Sequence, residues 1–347
     1  MAKVGLAYNL IDYSSMHNRP LDCAAELDTP ETIQAISDAI QLGEHQVVLM
    51  EADQTFPAAL RREWPDIVFN IAEGVCGESR ESQVPAVCDM LDIPYTGSGV
   101  FTTSLCLNKA HTNEVLSCNG LNVPPFQVFY SGQDELKPGL EFPLIAKLLH
   151  EGSSMGLSQN SVVHNPSSLR RQVDFLVDTY RQPVLVQKYI LGREFTVGVL
   201  GNEELLALPI TEVTFNDPYA IVLYALDEEA VPEFEQVHGN QYLREYESRL
   251  FYQKSICPAD IETDLASSIC EAAMRAFRAV ECQDWGRVDF RLGYDDQLYV
   301  LELNPIAGIA PGYWLPNAAQ IAGMNYAAFV NRILDIAIDR VKGMHCY

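Results

Sequence analysis

No stretch of the chain approaches the ~18 consecutive apolar residues of a membrane-crossing helix, so no transmembrane helix is expected. The start, Met-Ala-Lys-Val-Gly-Leu-Ala-Tyr, has no signal-peptide layout and reads as a first β-strand. Nine cysteines are present, yet none forms a C-x-x-C pair. An odd, unpatterned set argues against a disulfide frame or a zinc site, and for reduced thiols in the cytoplasm. There is no Walker-type phosphate loop, and Gly97-Ser98-Gly99 does not open a dinucleotide-binding G-x-G-x-x-G turn. Repeats and low-complexity tracts are missing. Basic residues are scarce: 23 Lys and Arg stand against 47 Asp and Glu, for a net charge of −24. Such a surface repels phosphate backbones and anionic lipids, which makes nucleic acid and membranes poor partners. With 48% apolar residues over 347 positions the chain is globular, with room for two or three domains.

Strands and helices alternate along the chain. Residues 4–8, 46–50 and 67–70 read as buried strands, and 31–42 and 82–91 as the helices between them. Thr29-Pro30 supplies an N-cap and a proline at the first helical position. This order predicts a parallel α/β domain over 1–105. A helix over 104–118 leads into a central unit, 106–190, with strands at 126–130, 144–149 and 184–189. A third unit, 191–347, holds further strands, helices at 261–280 and 326–341, and an irregular stretch. Residues about 214–252 are rich in Glu and Tyr and lack periodicity. They read as a long loop of the kind that serves as a mobile lid.

The most informative stretch is Trp285-Gly-Arg-Val-Asp-Phe-Arg-Leu, followed by Leu301-Glu-Leu-Asn304. It reads as a hairpin around Gly293-Tyr-Asp-Asp296. Alternation puts Arg287 and Asp289 on one face and Glu302 and Asn304 likewise. Val288, Phe290, Leu301 and Leu303 take the core face. Asp289 then stands opposite Glu302, with Cβ atoms roughly 5 Å apart. Two carboxylates that close repel unless a cation lies between them. Hard oxygen ligands with an amide suit Mg²⁺, which also accepts phosphate oxygens, and Arg287 could hold a developing anion. A hairpin with a merely wetted polar face would carry the same pattern.

Two other segments carry chemistry. Glu151-Gly-Ser-Ser-Met-Gly156 follows the apolar strand Pro143-Leu-Ile-Ala-Lys147, and its turns could cradle phosphate on backbone N–H groups. A plain hairpin turn is the simpler account. Lys147, ending a buried strand, needs an anionic partner, and Lys109 is a second such lysine or a solvated one. The run Val184–Gly192 bends between two strands. Backbone groups of Lys188, Tyr189 and Ile190 could pair with an adenine edge, and Glu194 could bind ribose hydroxyls.

Taken together, Lys109, Lys147, Glu151–Gly156, Gln187–Glu194, Arg287, Asp289, Glu302 and Asn304 resemble the ATP-grasp superfamily, and within it the D-alanine–D-alanine ligases. Ile93-Pro-Tyr-Thr-Gly-Ser-Gly-Val and the closing Ala322-Gly-Met-Asn-Tyr extend the likeness over nearly the whole chain. The resemblance implies a three-domain α/β fold with ATP held between two antiparallel sheets. It implies a carboxylate–amine ligase that releases ADP and phosphate through an acyl phosphate. Lys109 and Lys147 would meet ATP phosphates, and Gly152, Ser153 and Ser154 would cover the transferring phosphate. Gln187, Lys188, Tyr189, Ile190 and Glu194 would hold the nucleoside. Asp289, Glu302 and Asn304 would bind two Mg²⁺ ions, with Mn²⁺ as a substitute. Arg287 and the Gly308 amide would stabilise the oxyanion, and Arg249 would stand where the family's lid carries a lysine. A homodimer of such an enzyme is compatible with this reading.

The chain departs from the family at its substrate positions. Ala72-Glu73-Gly74 replaces Leu-His-Gly, Tyr313-Trp314 replaces Ser-Leu, and Leu250 replaces a lid tyrosine. Tyr8-Asn-Leu-Ile-Asp-Tyr replaces a Gly-Gly-Thr loop, leaving Glu31 as a loose candidate for that region's glutamate. Glu73, Tyr313 and Trp314 therefore mark altered pockets for an amino acid and a small carboxylic acid. An enzyme attaching an amino acid to a mycosporine-type core is one alternative. A non-catalytic ATP-binding module is another, at odds with the intact Arg287, Asp289, Glu302 and Asn304.

Overall fold

The computed structural model describes residues 1–11, 20–215, 219, 221 and 253–344. Three sheets organise them. The first is parallel, in the order β2-β1-β3, from β1 (Lys3–Tyr8), β2 (Gln46–Glu51) and β3 (Ile67–Asn70). Helix α1 (Pro30–Leu42) starts where Thr29 Oγ1 accepts from the Thr32 amide. A helix missed in the sequence, α2 (Phe56–Glu63), connects β2 to β3, and α3 (Gln83–Leu91) follows. The helix expected over 104–118 is two: α4 (Val100–Leu107) and α5 (Lys109–Cys118). Asn108 breaks them with extended backbone and caps α5 by accepting from the His111 amide, a short polar side chain offering the local alternative to helical bonding.

The second sheet, β4-β7-β5-β6, is antiparallel: β4 (Phe126–Phe129), β5 (Leu144–Leu148), β6 (Val162–Val163) and β7 (Val184–Lys188), with α6 (Pro166–Tyr180) on one face. The third runs β11-β10-β8-β12-β13, with β9 (Leu205–Ala207) beside β8. Its members are β8 (Gly192–Gly201), β10 (Thr211–Phe215), β11 (Gln253–Ile256), β12 (Asp284–Gly293) and β13 (Leu298–Asn304), backed by the helix Thr263–Ala279. Most of the stretch read as a lid, including Arg249 and Leu250, lies outside the described residues. Among the described residues no helix is long and apolar enough to cross a membrane.

One correction concerns the hairpin β12–β13. Arg287 pairs with Asn304, Val288 with Leu303 and Asp289 with Glu302, but a β-bulge then makes Val300 the partner of Phe290. The extra residue is Leu301. Val300 takes the core place expected for Leu301, and Leu301 joins Glu302 on the wall of a cleft. A bulge breaks the two-residue alternation, which is why periodicity alone misplaced this side chain.

The two chain ends share one core. Val4, Leu6, Ile36 and Phe69 pack with Phe329, Ile333, Leu334 and Ala337 of the helix Tyr326–Met344. Asp284, fully buried, fastens this joint. It accepts from the Gly97 amide at 2.7 Å, Asn202 Nδ2 at 2.9 Å, and Arg340 Nε and Nη2 at 3.0 and 2.9 Å. Gly97 has φ +86°, and a Cβ there would come within 2.9 Å of the Trp285 ring. Arg340 also donates to the Tyr95 carbonyl at 2.8 Å. Removing one partner strands a buried charge, so Arg340→Ala should cost about 3–5 kcal/mol in urea unfolding. A loss under about 1 kcal/mol, the worth of a surface pair, would contradict this account.

Candidate functional site

A cleft of about 410 Å³ lies between the second and third sheets, walled by residues of β5, β7, β8, β12 and β13. The register of the third sheet sets its floor. Asp289 stands opposite Thr196 on one side and Glu302 on the other, and Arg291 stands opposite Glu194. Thr196 Oγ1 donates to Asp289 Oδ1 at 2.5 Å. Arg287 donates from Nε and Nη2 to Asp289 at 2.9 Å each, and its guanidinium lies 5.4 Å from the centre of the Trp314 ring. Asn304 Nδ2 reaches Asp289 at 3.3 Å and Glu302 at 3.5 Å. Burial works against the charge of Arg287, but Asp289 with Glu302 and Glu73 together outweigh it and hold the guanidinium pKa above its ordinary value. Burial also opposes ionisation of Glu302, yet Lys109, Lys147 and Arg287 together bring its carboxyl below the usual range.

The roof comes from the second sheet. Lys147 and Gln187 line the cleft, as do Lys188, Tyr189 and Ile190. Lys147 makes no ion pair among the described residues. Gln187 Nε2 is buried with no hydrogen-bond acceptor, a donor that a ligand in the cleft could satisfy. Lys109 lies 3.9 Å from Glu302 and donates to the Glu151 carbonyl. At the end of the cleft, Ser153 and Ser154 both adopt left-handed backbone, φ 44° and 59°. Such conformations are uncommon for serine and cluster at ligand sites.

Several expected groups meet different partners. The phosphate-cradling reading of the Gly/Ser loop counts on open amides, but Gly152 N donates to Glu26 Oε1 at 2.6 Å and Gly156 N to Asp22 Oδ2 at 2.8 Å. Of the Lys188–Ile190 backbone groups expected at an adenine edge, the Lys188 and Tyr189 amides donate to the Pro125 and Pro143 carbonyls, while the Ile190 N–H meets no described acceptor. Glu194 accepts from Arg291 Nε at 2.7 Å, and burial raises its carboxyl pKa. Gly308, Tyr313 and Trp314 line the cleft, and Glu73 does not. Glu31 is exposed on α1, and the glutamate at the Gly/Ser loop is Glu26. Sequence reasoning missed Glu26, Arg80, Thr196 and Arg291. Thr196 and Arg291 extend the same alternation that marked Glu194, Arg287 and Asp289. Glu26 and Arg80 had no local signal, because loops bring them in.

The residues present fit a magnesium ion. The donors are two facing carboxylates and an amide, hard oxygens without thiol or imidazole. No group of three or more His, Cys, Asp or Glu suited to a metal occurs among the described residues. The set therefore leaves coordination positions for oxygens of a ligand.

Comparison with known proteins gives this arrangement a lineage. Residues 115–335 match the family described as D-ala D-ala ligase C-terminus. The chain belongs to the D-alanine–D-alanine ligase family. A D-alanine–D-alanine ligase of Geobacter sulfurreducens is 29% identical over 89% of both chains. An uncharacterized protein, y4sG, of Sinorhizobium fredii is 34% identical over 88% of this chain and 87% of its own. The fold also matches the D-alanine–D-alanine ligase of Bacillus anthracis solved with ATP. Its TM-score is 0.72 at 17% identity, over 99% of this chain and 100% of that one. This ligase-family protein thus has the ATP-grasp architecture, with a parallel N-terminal sheet and two antiparallel sheets.

Lys147 yields a test of the cleft's electrostatics. Burial pulls its ammonium down to about 8, against the opposing pull of Glu302. In the unfolded chain it titrates near ~10.4. Between those values the unfolded state binds the extra proton, so this group makes stability rise with pH from about 8 to ~10.4; below 8 its full cost remains. Lys147→Met should stabilise the ligand-free protein at pH 7 by about 1–3 kcal/mol. It should also flatten the rise above pH 8, as read by denaturant unfolding. An unchanged pH slope in the variant would show that Lys147 titrates normally.

Proposed function

We propose that the protein is an ATP-dependent, ADP-forming ligase that joins a small carboxylic or amino acid to an amino acid through an acyl phosphate. The observation that carries this reading is the convergence of Lys109, Lys147, Arg287, Asp289 and Glu302 on one cleft. A carboxylate cannot lose oxide to an attacking amine. Transfer of a phosphoryl group to it creates a good leaving group, and the neutral amine then displaces phosphate. Lys109 and Lys147 offset the charge of the phosphates, and the partly desolvated Lys147 gains most from such a partner. Asp289, Glu302 and Asn304 would hold magnesium, which when bound neutralises charge on the transferring group. Arg287 and the Gly308 N–H would steady the oxyanion as the amine adds. Glu194 would meet the ribose, and the Ile190 N–H the adenine edge.

A non-catalytic nucleotide-binding role gives no reason to keep Arg287 with Asp289, Glu302 and Asn304 at hydrogen-bonding distance. An enzyme of secondary metabolism that attaches an amino acid to a mycosporine-type core uses the same cleft, and the substrate positions bear on it. Tyr313 and Trp314 are large aromatics on the cleft wall, and Glu73 stands where the dipeptide ligases carry histidine.

Glu302→Gln should abolish magnesium-dependent ADP release while leaving the melting temperature within a few degrees. The loss should exceed the ~10–100-fold cost of altering an outer-sphere partner. Normal turnover by the folded variant would remove Glu302 from the metal site. With D-alanine as the only amino acid, ADP release should be weak, because polar groups matched to another substrate are left unpaired, a penalty of up to about 10⁴ in specificity. Efficient formation of D-Ala-D-Ala would refute the altered-pocket reading.

A further inference from the structure

One side chain of the cleft has no part in the chemistry proposed above. Arg291 lies on the cleft face of β12, two residues beyond Asp289, and is only 3% exposed. Its Nε donates to Glu194 Oε2 at 2.7 Å. Its Nη1 donates to the Tyr189 hydroxyl at 3.0 Å and to the Ile190 carbonyl at 3.1 Å. The guanidinium also lies 5.0 Å from the centre of the Tyr189 ring and 5.4 Å from that of Phe215. These partners come from separate elements. Glu194 belongs to β8, Phe215 ends β10, and Tyr189 and Ile190 form the connector between β7 and β8.

A buried guanidinium is tolerated only where its donors are met. Burial works against the charge of Arg291, and Glu194 with Tyr189 more than offsets it. Guanidinium donors form a rigid planar fork, so one group bonded to three acceptors fixes where all three stand. Glu194 is the acceptor that faces the cleft. Its Oε2 is taken by Arg291, while its Oε1 has no hydrogen bond among the described residues. A carboxylate oxygen only accepts and has two lone-pair sites, so Oε1 suits a ligand that presents neighbouring hydroxyls. On the connector the Ile190 carbonyl is likewise taken, and the N–H of that residue is left for a ligand.

We propose that Arg291 is a positioning residue for nucleotide recognition: by pinning Glu194 Oε2 it aims Oε1 at the hydroxyls of a ribose, so that the protein selects ribonucleoside triphosphates over those that lack these hydroxyls. This role rests on the ATP-binding reading of the cleft. Arg291 makes and breaks no bond, and it acts through Glu194 without touching the reacting atoms. A purely structural ion pair has a different signature. Its loss would loosen the cleft and weaken every nucleotide alike, whereas loss of a positioning group weakens only those nucleotides that carry the hydroxyls.

The test is calorimetric titration of the full-length protein with Mg-ATP and with Mg-2′,3′-dideoxyATP. The unaltered protein should bind ATP at least about tenfold more tightly, as expected for hydrogen bonds to a charged acceptor. Arg291→Met should shrink that preference to within about threefold while dideoxyATP binds nearly as before. Arg291→Lys keeps the charge without the fork, and should restore only part of the preference. Melting curves establish that each variant is folded. If Arg291→Met fails to fold, Tyr189→Phe decides instead: it removes one anchor of Arg291, leaves Glu194 in place, and should lower the preference by about threefold. An unchanged ratio in the folded variants, even with weaker binding of both nucleotides, overturns the proposal and leaves Arg291 a structural tie. Equal affinity of the unaltered protein for the two nucleotides also overturns it, while ATP binding itself keeps the ligase reading. Binding of neither nucleotide removes both.

Discussion

The antiparallel register of β8, β12 and β13 is the constraint on which the cleft depends. Glu194 and Thr196 on β8, Arg287, Asp289 and Arg291 on β12, and Glu302 and Asn304 on β13 share one face because their spacing follows the two-residue pleat. A slip of one residue would send all of them into the apolar layer and bring Phe195, Val288 and Phe290 into the cleft. The burial of those apolar side chains under the helix Thr263–Ala279 holds the polar face in place. Function and stability are thus set by the same alternation, and the bulge at Leu301 ends it just beyond the last carboxylate.

Charge is sorted across the Gly/Ser loop. On the cleft side lie Lys109, Lys147 and Arg287 with Asp289 and Glu302, and Arg291 with Glu194; beyond it Arg80 bridges Glu26 and Glu151. Glu26 joins the two regions, since it takes the Gly152 amide from one and Arg80 from the other. A Cβ at residue 152 would come within 2.7 Å of the Glu26 carboxylate, so glycine is what lets the acid approach the loop. The left-handed backbone at Ser153 and Ser154 follows immediately, and Asp22 holds the loop's other end through the Gly156 amide.

Much of this was legible in the sequence where spacing carries the information. The hairpin Arg287–Asn304, the pairing of Asp289 with Glu302 and the parallel N-terminal sheet all follow from alternation and turn residues. Residues joined by tertiary contact were not legible. Glu26 lies in a turn and Arg80 opens a single short 3-10 turn, neither long enough to carry a periodicity, and only folding brings them together. The split between α4 and α5 was hidden because the sequence on both sides of Asn108 is helix-competent. Glu31 lies in the exposed first turn of α1, where Thr29 and Pro30 commit it, and the glutamate that meets the Gly/Ser loop is Glu26. At Lys188 and Tyr189 the sequence does not reveal that the amides meet the Pro125 and Pro143 carbonyls, since those partners are brought in by tertiary contact.

The shared core of the chain's two ends has a consequence for biosynthesis. The first sheet leaves the ribosome long before the helix Tyr326–Met344, which covers the apolar face formed by Leu6 and Phe69. At roughly 5–20 residues per second that face waits tens of seconds for its partner. Through that interval the nascent sheet must rely on α1 or on a chaperone to shield it. The first sheet can therefore be finished only after the strands of the second and third have been made.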